Sequence, residues 1–72
     1  MLKNARMKKG LTQTQLGNLV GVSQSYIFKL ENRQKYHVEN ATLKTITKLA
    51  KALNLKPTDV FEFLISHQNS KY

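Results

Sequence analysis

Apolar residues recur along the chain at the separations of helices. The clearest run is Leu43, Ile46, Leu49, Ala50 and Leu53, which fall at helical spacing and form one apolar stripe. Thr42 stands before it as a cap, and Asn54 can end it in the left-handed conformation. Upstream, Leu16, Val20, Val22, Ile27 and Leu30 are apolar where two crossing short helices would bury side chains, about Gln13 to Val20 and Gln24 to Glu31. Thr12 and Ser23 are their expected caps. Gly21 can take the positive φ of a tight turn between them, and Gly17 is small where a second backbone must approach. Residues 2 to 9 predict a first helix with Leu2, Ala5 and Arg6 on one face and Gly10 as its stop. Pro57 opens a last helix running to about Ile65, with Asp59 favourable near its positive end. The segment NRQKYHVENA (32–41) reads as a polar loop, and residues 67–72 as a frayed tail. Neither strand-like alternation nor an internal repeat is present. The pattern predicts an all-α fold of five helices in one domain, residues 1–66.

Size and charge narrow the function. A chain of 72 residues buries a thin core. It has no cysteine, so neither a disulfide nor a zinc–thiolate site can staple it, and the helices must hold themselves or lean on a partner subunit. No apolar run can span a bilayer and the N-terminus has no signal-peptide pattern, so a cytoplasmic location is expected. The net charge is +8, unevenly placed. The first 30 residues hold no Asp or Glu but contain Lys3, Arg6, Lys8, Lys9 and Lys29; the four acids are Glu31, Glu39, Asp59 and Glu62. The half with the two crossing helices is therefore the positive half, which suits a polyanion.

Between the buried positions of the second crossing helix, Gln24, Ser25 and Lys29 face outward. A helix-turn-helix that presents amide, hydroxyl and ammonium groups has the chemistry to meet base edges and phosphates. The first crossing helix begins Thr12, Gln13, Thr14, Gln15, without the acids that usually offset a helix's positive end. Its free N–H groups stay available to an external anion such as a DNA phosphate.

The pattern LTQTQLGNLVGVSQSYIFKLEN, then a loop and TLKTITKLAKALNL, resembles the Cro/CI-type helix-turn-helix family of small phage repressors and xenobiotic-response-element regulators. The resemblance covers roughly residues 2 to 64 and implies a lambda-repressor-like domain binding a double-stranded DNA operator. It implies that Gln24 is the principal base reader, with Ser25 and Lys29 also in the groove, and that Gln13 touches phosphate and steadies the reader. It further implies an internal ion pair between Arg6 and Glu31.

The residues themselves extend this picture. Gln24 can bond an adenine edge through both amide groups; Lys29 suits guanine or a phosphate. Tyr26 could reach a phosphate or a thymine methyl group, while Phe28 is expected to pack beneath the 32–41 loop. Thr12, Lys8 and Lys9 are candidate phosphate contacts. Arg33 stands where the family commonly has glycine, and the loop is longer than usual, so its path is open. Its Arg33, Lys35, Tyr36 and His37 suit either phosphates or a solvated loop. The last helix carries surplus apolar residues. Val60, Phe61 and Leu64 can close the core, and Phe61, Phe63, Leu64 and Ile65 form an expected homodimer interface.

Other classes fit less well. His37 and His67 have no metal-ligand spacing, and the chain contains no phosphate loop, nucleophile elbow or acid pair, so neither an enzyme nor a metal or cofactor is expected. An antitoxin-like module with a toxin or other protein partner stays open.

Overall fold

The computed structural model describes the backbone of residues 1–69 and the side chains of residues 1–66. Six helices follow one another: α1 Leu2–Lys8, α2 Gln13–Val20, α3 Gln24–Glu31, α4 Lys35–Glu39, α5 Leu43–Leu53 and α6 Pro57–Asn69. Every described element is helical.

The three hydroxyl caps form as the sequence predicts. Thr12 Oγ1 accepts from Gln15 N–H at 3.0 Å, and Gln15 Oε1 accepts from Thr12 N–H at 2.9 Å, a reciprocal capping box. Ser23 Oγ accepts from Tyr26 N–H at 3.0 Å and Thr42 Oγ1 from Thr45 N–H at 3.1 Å. Gly21 takes φ 79° and donates its N–H to Gly17 O at 2.8 Å, which ends α2 in one residue. The chain then folds back so closely that a Cβ at Gly17 would lie 2.6 Å from Val22 O. That approach sets the α2–α3 crossing. Asn54 ends α5 at φ 58°.

One core joins the helices. It contains Leu2 of α1, Leu16 and Val20 of α2, Ile27 and Leu30 of α3, Val38 of α4, four α5 residues (Ile46, Leu49, Ala50 and Leu53), and Val60 and Leu64 of α6. Val22 and Ala5 pack at its margin.

The structure departs from the expected architecture in three ways. The 32–41 segment contains α4, giving six helices in place of five. This helix is five residues long with a single buried apolar residue, Val38, so it has no periodicity to detect. Arg33 makes the turn into it at φ 51°, the conformation for which glycine is suited. The last helix runs past Ile65 to Asn69, while residues 70–72 of the expected tail lie outside the described residues. Leu43, placed on the buried stripe, is 76% exposed, because the first turn of α5 projects beyond the core.

Candidate nucleic-acid interface

Gln24 opens α3 at an exposed position. Its Nε2 donates to Gln13 Oε1 at 2.6 Å, and Gln13 Nε2 donates to Glu31 Oε1 at 3.0 Å. Glu31 in turn accepts from Arg6, whose Nε lies 2.6 Å from Oε2 and whose Nη2 lies 3.3 Å from Oε1. Arg6 Nη1 also donates to Leu11 O at 2.7 Å. A continuous chain of hydrogen bonds thus runs from the α1–α3 ion pair inside the fold to the exposed Gln24 side chain outside it. The ion pair is the one the family resemblance implies, and Gln13 is hydrogen-bonded to Gln24. The pair has only 10% and 4% side-chain exposure, so deleting one member would strand the other charge.

Gln13 and Gln24 line a shallow concavity together with Met7, Thr12 and Thr14. The capping box uses the N–H groups of Thr12 and Gln15. Those of Gln13 and Thr14 have no partner among the described residues and lie at the positive end of α2. The N–H donors left open at this helix start are therefore those two, and the Thr12 N–H is taken up by Gln15 Oε1.

Along α3, Ser25 is exposed and Lys29 half-buried. The two aromatic residues exchange their expected places. Phe28 is 46% exposed and lies one helical turn after Gln24. Tyr26 packs against the core margin, its ring edge-on to His37 with centroids 5.9 Å apart. Burial pushes the Tyr26 phenol above its ordinary pKa. The exchange accompanies α4, whose Val38 is itself buried in the core and whose His37 meets the Tyr26 ring. Phe28 is the residue that sequence reasoning missed on this face, although the i, i+4 relation to Gln24 was a usable signal.

The remaining candidates are dispersed. Lys8 and Lys9 are exposed and line a separate groove between α1 and the end of α5, with Leu53, Asn54 and Leu55. Lys35 and Tyr36 are exposed on α4, and Tyr36 meets His37 edge-on at 5.1 Å. Arg33 is turned away from this face. Its guanidinium lies 4.6 Å over the Phe63 ring and Nη1 donates to Ser66 Oγ at 2.9 Å. Arg33 is thus occupied within its own fold as a link from the α3–α4 turn to α6.

The expected dimer surface also divides. Leu64 is 1% exposed and belongs to the core, which corrects its assignment to an interface. Phe61, which was expected to close the core, is 47% exposed and borders an apolar groove with Leu43, Thr47 and Thr58. Phe63 is half-buried on the other flank of α6 beneath Arg33, and Ile65 is half-buried. A helix with apolar residues at 60, 61, 63, 64 and 65 must spread them around its axis, and the elements packed against it, α5 and α4 with Arg33 of the turn before α4, decide which are covered.

Among the described residues no helix is long and apolar enough to cross a membrane. The helix-turn-helix family model matches residues 2–60. The chain belongs to the Cro/CI-type helix-turn-helix family, whose members are DNA-binding transcription regulators. No curated protein and no solved structure matches it.

Proposed function

We propose that the protein is a cytoplasmic, sequence-specific repressor or autoregulator that binds a two-fold related operator as a homodimer. The observation that carries this reading is the exposed Gln24 amide at the start of α3, held by Gln13 and through it by Glu31. An amide held at a helix start can enter the major groove already oriented. In this reading Gln24 and Ser25 meet base edges, Lys29 meets guanine or phosphate, and Phe28 contacts a thymine methyl group. The N–H groups of Gln13 and Thr14, with the Gln13 side chain and the Thr12 hydroxyl, receive a phosphate at the positive end of α2. Lys8, Lys9, Lys35 and Tyr36 add phosphate contacts at the margins. The uneven charge of the chain supports that electrostatic component.

Selection of bound duplexes from a random pool tests the reading. The expected result is a pair of inverted half-sites about 34 Å apart, one helical turn of DNA. Gln24→Ala is expected to cost about 1–3 kcal/mol on the selected site and little on unrelated duplex. Absence of sequence preference at moderate salt overturns the reading.

Two exposed apolar residues beside one groove, Phe61 and Leu43, support association of two copies through the α5–α6 edge. Sedimentation of the protein with and without its selected site tests this. A dimer on DNA supports it, whereas a monomer at high concentration and on DNA overturns it and favours a different protein as the occupant.

A further inference from the structure

Four carboxylates face twelve lysines and arginines in this chain. Glu31 is paired with Arg6 inside the fold, and Glu39 lies on α4. The other two, Asp59 and Glu62, stand one turn apart on α6 and border a shallow hollow with Met1, Leu55 and Phe63. Met1 and Leu55 also line the groove that Lys8 and Lys9 border between α1 and the end of α5. The two hollows therefore form one surface, apolar along the middle, anionic at one rim and cationic at the other. Met1 is 40% exposed on its midline, and Leu55 is half-buried there. The one ion pair among the described residues is Arg6–Glu31, so neither rim is neutralised by a described side chain. Arg33, whose guanidinium covers Phe63, bonds to Ser66 and to neither carboxylate. No residue of α2 or α3 lines either hollow, which leaves Gln13 and Gln24 clear.

We propose that this α1–α6 face joins two copies of the chain about a two-fold axis, as a second interface beside the one at Phe61. The order of the charges decides the occupant. A partner of one sign, nucleic acid included, meets one rim of its own sign. The same face turned by a two-fold operation across its midline meets the opposite sign at both rims. Lys8 and Lys9 of each copy then lie over Asp59 and Glu62 of the other, so each attraction is made twice. Met1 and Leu55 come together near the axis and leave water. Phe61 borders a groove on the other flank of α6, so one chain can engage a neighbour on each flank. Dimers formed at one face pair through the other, and the protein assembles beyond a dimer without DNA. The proposal goes further than the operator reading and does not rest on any base contact.

Sedimentation velocity without DNA tests it, in full chains that carry Phe61→Asp to silence the other face. This parent is expected to dimerise at low salt and to dissociate as salt rises, because exposed charges are screened. Lys8→Glu with Lys9→Glu makes both rims anionic. Asp59→Asn with Glu62→Lys makes both rims cationic, and the asparagine keeps an acceptor for the Lys56 N–H, which Asp59 Oδ2 meets at 3.3 Å. Each of these is expected to self-associate at least about tenfold more weakly than the parent, and their equimolar mixture to associate within about threefold of it. Rescue in the mixture also shows that both variants are folded. A parent that stays monomeric at low salt and high concentration overturns the proposal. So do variants that associate like the parent, and a mixture that stays as weak as its parts. Should circular dichroism show either variant unfolded, the salt series of the parent decides: association that weakens with salt supports the proposal, and association indifferent to salt overturns it. A protein without sequence preference on DNA would overturn the operator reading and leave this result untouched.

Discussion

The outer edge of α2 and α3 and the closing edge of α5 and α6 are held by opposite means. At the first, polar groups are joined in series from Arg6 to Gln24, and each contact restricts the next. At the second, apolar side chains fill space, and Val60 and Leu64 are covered while Phe61, on the same helix, is not. Directional bonds can specify the orientation of a group that faces solvent. Packing specifies only what fits beneath. The outer edge of α2 and α3, the proposed reading edge, therefore holds its polar groups oriented, and the closing edge is left with surplus apolar surface.

Leu64 and Phe61 give the sharpest way to break this contrast. Leu64→Ala should cost about 2–5 kcal/mol in urea unfolding, the usual range for a buried leucine. That is a large share of the roughly 5–15 kcal/mol that holds a small domain together. Phe61→Ala should cost far less under conditions where the protein is monomeric, and should act instead on self-association. Equal losses of monomer stability would show that Phe61 is as much a part of the core as Leu64.

A smaller effect is expected at the join between the two edges. Gly17→Ala introduces a Cβ only 2.6 Å from the carbonyl oxygen of Val22, a backbone atom that moves only if α3 moves. A destabilisation of about 1–3 kcal/mol is expected, as for other overpacked sites. Because the movement displaces Gln24 relative to Gln13, affinity for the selected operator should fall more than affinity for unrelated duplex. Unchanged specific binding would show that the reading edge tolerates a different α2–α3 crossing.

Legibility in the sequence follows the same division. The α2–turn–α3 unit could be read because its signals are local: Thr12 and Ser23 cap, Gly21 turns, and Gly17 clears a path within a few residues of one another. The position of Gln24 on an exposed helix start follows from those signals alone. The Gln13–Gln24 bond joins residues 11 apart and was implied by family resemblance, not by any periodicity. The failures lie where partners are distant. Arg33 meets Phe63 and Ser66 across some thirty residues of chain, so nothing near Arg33 marks it as occupied. Tyr26 and Phe28 were exchanged because α4 carries only Val38 as an apolar signal, and without α4 neither ring's surroundings can be inferred.

The Arg33 link is itself open to test, at about 1 kcal/mol. Arg33 holds φ 51°, a strained region for a side chain bearing a Cβ. Arg33→Ala keeps that strain and loses both the stacking on Phe63 and the bond to Ser66. Arg33→Gly loses the same contacts but relieves the strain. The glycine variant should therefore be more stable than the alanine variant by about 1 kcal/mol and close to the wild type. An alanine variant as stable as glycine would mean that the turn is not strained and that the contacts with α6 alone account for the effect of Arg33.

The smallest effect concerns Tyr26, where the two edges meet beneath α4. Its phenol has an ordinary pKa of 10.0, which burial raises in the folded chain. Below about pH 10 both folded and unfolded chains keep the proton, and the phenol contributes its full stabilisation. As pH rises further the unfolded chain loses its proton first, so unfolding gains a driving force and the contribution is lost through the folded value. Tyr26→Phe keeps the ring against His37 and removes the titrating group. The stability difference between wild type and this variant should be flat below about pH 9 and should turn against the wild type above about pH 10. Urea midpoints of both proteins across that range measure it, and the subtraction cancels whatever the two proteins have in common. A difference flat to about pH 11 would place the phenol in solvent. That outcome would return Tyr26 to the outward face of α3 and make it available to DNA beside Phe28.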